Sequence, residues 1–177
     1  ALEITPNDGP LHGNLAKLYC ELGAFDEAIS AGEKSLELAP EYAWVYGNLA
    51  DIYTNCRNES YRNAQRAVEL ATKAVELDAN DVIKQVILGM ALYRHDKFSQ
   101  AAEILSTSLE SLTNKKAHPL LFLAMSHGQL GNREEALSFY NQAVEWIEEN
   151  KSEFDDEVEM LLGEATGLLG IDVSPAD

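Results

Sequence analysis

The chain is poor in positive charge: 13 Lys and Arg stand against 30 Asp and Glu in 177 residues, a formal net charge of −17. Such an excess repels phosphate backbones and anionic lipid headgroups, so neither nucleic acid nor a membrane surface is expected as a partner. No apolar run approaches the roughly 20 residues that a bilayer span needs, and Ala1 to Pro10 shows no basic end followed by an apolar stretch. Cysteine is scarce. Cys20 and Cys56 form no Cys-x-x-Cys pair and cannot build a disulfide framework, which makes a cytoplasmic location the default expectation. Catalytic motifs are missing too: there is no phosphate-cradling glycine loop, Gly-x-Ser-x-Gly elbow or His-Glu-x-x-His pair. His12, His95, His118 and His127 are scattered without metal-ligand spacing, and the many carboxylates show no pairing that marks an acid and a base. The expectation is a protein that is not an enzyme, with no cofactor and no metal.

What the chain does have is apolar content, 46% of residues, spread evenly enough to form a core. It also has an internal repeat. A small residue inside a Leu-rich helical pattern recurs at Ala16, Ala50, Gly89 and Ala124, with spacings of 34, 39 and 35. Ala28, Ala67, Ala101 and Ala136 repeat the period, as do Ser35, Ala74, Ser108 and Ala143. Where both of the first two series widen by five, they share the segment between Tyr53 and Ala67, so the extra residues lie around Asn55 to Ser60, where polar residues break the apolar period. Each unit reads as two helices, because apolar residues recur at three and four within Leu11 to Leu22 and within Phe25 to Leu38, with turn signals after each. The recurring small residues fit close helix packing. A leucine at Ala16 or Ala28 would force neighbouring backbones apart at a cost of about 1 to 3 kcal/mol.

Leu15-Ala16, Tyr19, Ala28, Ser35 and Pro40 in the first unit, and Leu49-Ala50, Tyr53, Ala67 and Ala74 in the second, resemble the signature of the tetratricopeptide repeat family. Leu88-Gly89, Ala101 and Ser108, then Leu123-Ala124, Ala136 and Ala143, continue it, with Leu92 and His127 in place of the tyrosine and Ala79 in place of the proline. The resemblance implies an all-α, right-handed α-solenoid of stacked antiparallel helix pairs. One repeat domain over 1–177 is expected, with units at 9–42, 43–81, 82–116 and 117–150, the end of a preceding repeat at 1–6 and a capping helix at 153–170. Because Ala1 to Pro6 aligns with Ser35 to Pro40, the sequence reads as a segment of a longer protein. The cap is read from Val158, Leu161, Leu162, Ala165, Leu168 and Leu169 at helical spacing behind an acidic start.

The resemblance further implies a non-catalytic scaffold or adaptor that binds a peptide or helix through a concave groove lined by the first helix of each unit. Groove candidates are Asn14, Lys17, Trp44, Asn48 and Asp51 on the polar early side, and Ile83, Ile87, Met90, Tyr93, Leu121, Phe122 and Met125 on the apolar late side. At the places where one branch of the family clamps acidic chaperone tails, only Asn48 fits, so such a tail is not the expected ligand. The apolar late helices require a cover: the cap helix or the next unit, an apolar peptide or amphipathic helix, or a second copy of the chain. A partner more apolar than acidic is therefore expected. The alternative is a regulatory or targeting module of a larger enzyme, such as a multidomain bacterial kinase, which the last unit weakly resembles. Arg57, Arg62 and Arg66 form a basic island at the inserted loop, read as a solvated loop balanced by neighbouring Glu or as a dock for an acidic partner.

Overall fold

A computed structural model describes residues 7–151 and 154–171, so the half-helix expected at 1–6 and Glu153 at the start of the cap lie outside the described residues. Within them every regular element is helical. Helices α1 (Gly9–Glu21) and α2 (Phe25–Leu38) pack as a pair, followed by α3 (Ala43–Asn55) with α4 (Ala64–Leu77) and α5 (Val82–Arg94) with α6 (Phe98–Ser111). Then come α7 (Ala117–Gln129) with α8 (Arg133–Glu149), and α9 (Asp156–Leu169). Each pair meets the next through α2 and α3, α4 and α5, and α6 and α7, while the first helices α1, α3, α5 and α7 also touch in succession. The result is an all-α solenoid.

Local chemistry sets where the helices start and turn. The carboxylate of Asp8 accepts from Leu11 N (2.9 Å), that of Asp81 from Ile83 N (2.9 Å), and that of Asp155 from Glu157 N and Val158 N (both 3.0 Å), satisfying amides that the first turn leaves unpaired. The three tight turns within pairs each need a left-handed residue, supplied by Gly23 (φ 73°), Asp96 (φ 59°) and Gly131 (φ 78°). The second pair has the insert instead. It runs through a single 3₁₀ turn at Glu59–Tyr61, and the Tyr61 ring leans back on Phe25 with centroids 5.4 Å apart.

The small-residue series marks the closest approaches. Ala16, Ala28, Ala50, Ala67, Ala101, Ala124, Ala136 and Ala143 are buried, and a methyl group added at Gly89 would lie 2.6 Å from Leu105 Cγ. Leu105 is itself fully enclosed and has no room to retreat. The core has two parts, one across α1 to α5 and a larger one across α5 to α9, with Val68, Ile87 and Leu88 packed against both. Gly163 and Gly167 do not serve close packing, because a methyl group at either would meet nothing within 4 Å.

Candidate functional site

Helix α9 decides what the face formed by α1, α3, α5 and α7 offers. Its apolar stripe of Val158, Leu161, Ala165 and Leu169 is buried on α7. Tyr140 on α8 shares a 2.9 Å hydrogen bond with Thr166, and the Arg133 guanidinium donates to Leu169 O at 3.2 Å. The opposite edge of α9 is held by arginines from earlier units. Arg57 pairs with Asp156 at 2.7 Å; Arg62 pairs with Glu164 at 3.3 Å and donates to Met160 Sδ at 3.2 Å; Arg94 grips Glu164 with two bonds of 2.6 and 3.2 Å. The basic island therefore does not pair only with its sequence neighbours. Arg57 and Arg62 dock an acidic helix of the same chain, while Arg66 pairs with Glu33 on α2 and Glu69 on α4.

This placement corrects the expected late groove. Leu121, Phe122 and Met125 are fully buried, because α7 is enclosed by α5, α6, α8 and α9, and they are core rather than contact surface. Tyr93 is buried as well, its ring 5.3 Å from that of Phe122 and 5.5 Å from that of Phe98. Trp44 is half-buried against α1, its ring within 2.8 Å of where a Gly13 side chain would begin, so it fills space between helices. Asn14 is exposed and stands outside the cavity.

The remaining candidates come together. Lys17 on α1, Asn48 and Asp51 on α3, and Ile83, Ile87 and Met90 on α5 line one cavity of about 580 Å³, closed at its far side by the start of α7 and of α9. Lys17 and Ile83 are exposed, Asn48, Asp51 and Ile87 are partly buried, and Met90 is buried. Sequence reasoning passed over Asn55, Asp155 and Glu157 in this wall. Asn55 was within reach of it, since it lies one helical turn beyond Asp51; Asp155 and Glu157 enter only because α9 folds back over the face.

The cavity wall carries unusual titrations. Burial, reinforced by the Glu157 carboxylate, pushes the Asp51 carboxyl from 3.8 up to about 6, against the lowering influence of His118, the Asn55 amide and Lys17. Burial alone would lower the His118 value; the Glu157 carboxylate, 3.4 Å from Nε2, outweighs it with help from Asp51 and Asp155, and the net direction is up. Burial raises the Cys56 thiol and, helped by Cys56 and Asp51, takes the Cys20 thiol up to about 11, so neither is a ready thiolate nucleophile at neutral pH. Among the described residues no group of three or more His, Cys, Asp or Glu side chains is placed to hold a metal ion.

These shifts set a pH dependence. For Asp51 the folded value is raised, so its penalty is fully present above pH 6 and fades as pH falls toward 4. For His118, also raised, the stabilising contribution is fully present below 6.5 and is lost as pH rises through the folded value. Both weaken the junction at pH 8 relative to pH 5. Asp51→Asn, which keeps an acceptor for Asn55, is expected to match the parent protein near pH 4 and to exceed it by about 1 to 3 kcal/mol at pH 8. Urea denaturation at the two pH values measures this; a difference independent of pH would contradict it.

With the geometry in hand, comparison with known proteins is direct. A family model described as tetratricopeptide repeat matches residues 10–42 and 117–150. The chain carries tetratricopeptide repeats. Among solved structures, "MamA MSR-1 C2" is similar at 26% identity over 81% of this chain and 79% of that one, with a TM-score of 0.63. A thermophilic repeat protein of Thermus thermophilus is similar at 19% identity over 93% and 84%, TM-score 0.66. YrrB, described as a repeat protein with an unusual peptide-binding site, shares 19% identity over 96% and 91%, TM-score 0.61. At that identity the last two bear on the fold alone. No curated protein matches. The tetratricopeptide architecture is typically that of a non-catalytic interaction scaffold and is consistent with a protein-binding role. Among the described residues no helix is long and apolar enough to cross a membrane.

Proposed function

We propose that the protein is a scaffold that binds an extended peptide segment of a partner protein in the cavity between α1, α3, α5 and the start of α9. What supports this reading is the mixed wall of an open cavity of about 580 Å³: polar Lys17, Asn48 and Asp51 face apolar Ile83, Ile87 and Met90. Apolar burial on α5 supplies affinity, while the polar side chains fix the register of a peptide backbone. Ile83 is the most informative residue, since it is 46% exposed where an unliganded core would hide it. The late concave face takes no peptide while α9 covers it.

The test is selection of peptides from a random displayed library on the intact protein, followed by fluorescence anisotropy against two variants at exposed positions, Ile83→Glu and Lys17→Glu. Selected peptides are expected to lose about tenfold or more in affinity for Ile83→Glu, the scale of forfeiting burial of one large apolar contact. Equal binding to the parent and both variants would overturn the site.

A further inference from the structure

On α3 the cavity wall holds an acceptor without a donor. Asn55 on α3 is 6% exposed and lines the cavity. Its Nδ2 donates to Asp51 Oδ1 at 2.8 Å, whereas its Oδ1 is buried and receives no hydrogen bond. A buried amide oxygen left in this way is costly, and native proteins ordinarily satisfy it. Beside it, Asp51 forms no ion pair with any lysine or arginine among the described residues; Lys17 acts on it only at longer range. Glu157 adds a second carboxylate from α9, engaged on one oxygen by His118. The groups facing Asp51 are thus Lys17 from α1, Asn55 from its own helix, His118 from α7 and Glu157 from α9, with Ile83 and Ile87 of α5 contributing no charge. Two donors in this set, Asn55 Nδ2 and His118 Nε2, are already committed, and the exposed Lys17 reaches Asp51 only at longer range.

We propose that Asp51, Asn55 and Glu157 form a subsite for one basic side chain, a Lys or Arg carried by the bound peptide, which donates to the two carboxylates and, as the Asn55 amide turns toward the cavity, to its Oδ1. An ammonium offers three donors and no acceptor, and a guanidinium five donors, and a donor is what Asn55 Oδ1 lacks. The raised Asp51 value described above is the electrostatic counterpart: a carboxylate dehydrated beside another carboxylate is released from that penalty by an incoming cation. The partner is then an apolar segment with a single cationic anchor, its apolar neighbours meeting Ile83 and Ile87. This rests on the reading of the cavity as a peptide groove.

The selected peptides test it separately. They are expected to share one Lys or Arg at a fixed position, and its replacement by norleucine should weaken binding to the parent protein by about tenfold to a hundredfold, the range of a charge-assisted hydrogen bond. On Asp51→Asn, and on Asn55→Leu, the same replacement should cost less than about threefold. Binding should also shift the Asn55 side-chain amide resonances. Peptides that are lost on Ile83→Glu yet share no basic residue, or whose basic residue matters equally on Asp51→Asn, overturn the subsite and leave the groove. Peptides insensitive to Ile83→Glu overturn the groove reading, and the subsite with it.

Discussion

Phe122→Ala is expected to lower the free energy of unfolding by about 3 to 5 kcal/mol. Phe122 has no solvent-accessible surface and lies on α7, the most enclosed helix of the solenoid. Its ring meets the edge of Tyr93 at a centroid distance of 5.3 Å and an interplanar angle of 80°, and the Arg94 guanidinium carbon stands 5.1 Å from its centroid. Alanine removes the ring from between these groups and leaves a void that four surrounding helices cannot all close at once. The aromatic pair and the cation over the ring add to the loss beyond area alone. Urea denaturation at constant pH measures the effect, with Phe122→Leu as the milder comparison. A change below about 1 kcal/mol would mean that α7 is open on one side and that α9 does not seat as described.

Glu164→Gln is expected to cost about 2 to 4 kcal/mol and to loosen α9. One carboxylate stands between two guanidiniums whose side chains are only 13% and 14% exposed, and an amide of the same size leaves Arg94 without its countercharge and Arg62 with only the exposed Glu59, 3.2 Å away. The Nε of Arg94 already lacks a hydrogen-bond partner, so that guanidinium has little else to fall back on. Exchange of amide hydrogens in 156–169, followed by mass spectrometry, is expected to accelerate at least tenfold, with α7 following and α1 to α3 unchanged. The exposed pair Arg57 and Asp156 is the internal control: Arg57→Ala should cost under about 1 kcal/mol. If α9 exchanges at the parent rate in Glu164→Gln, the arginine grip is not what holds it.

These two residues show where sequence reasoning reached and where it stopped. The solenoid was legible because steric limits repeat: Ala16, Ala50, Gly89 and Ala124 each stand where no larger side chain fits, and Leu105 pressed against Gly89 shows the reason. The polar early wall was legible in part, since Lys17, Asn48 and Asp51 fall on one side by helical spacing once the helices are paired, and they line one cavity. The late wall was not. Leu121, Phe122 and Met125 have the composition of a sticky groove and of a core alike, and only the position of α9 separates the two. That position is held by Arg57, Arg62 and Arg94 reaching acidic groups 70 to 102 residues away, contacts for which periodicity carries no signal. Asn55 was missed for another reason: its importance lies in an oxygen that bonds to nothing, which is visible only when its neighbours are known.

The insert after α3 also has a kinetic side. A repeat array can fold progressively as it leaves the ribosome, because each unit needs only its neighbours. Arg57 and Arg62 emerge about a hundred residues before their partners Asp156, Met160 and Glu164. Until then the part of α7 that faces α9 has no cover and the inserted loop has no anchor on the far side. Closure of this long-range clasp is therefore expected only after the intervening units have formed, tying the second pair to α9 and the stack between them into one cooperative body.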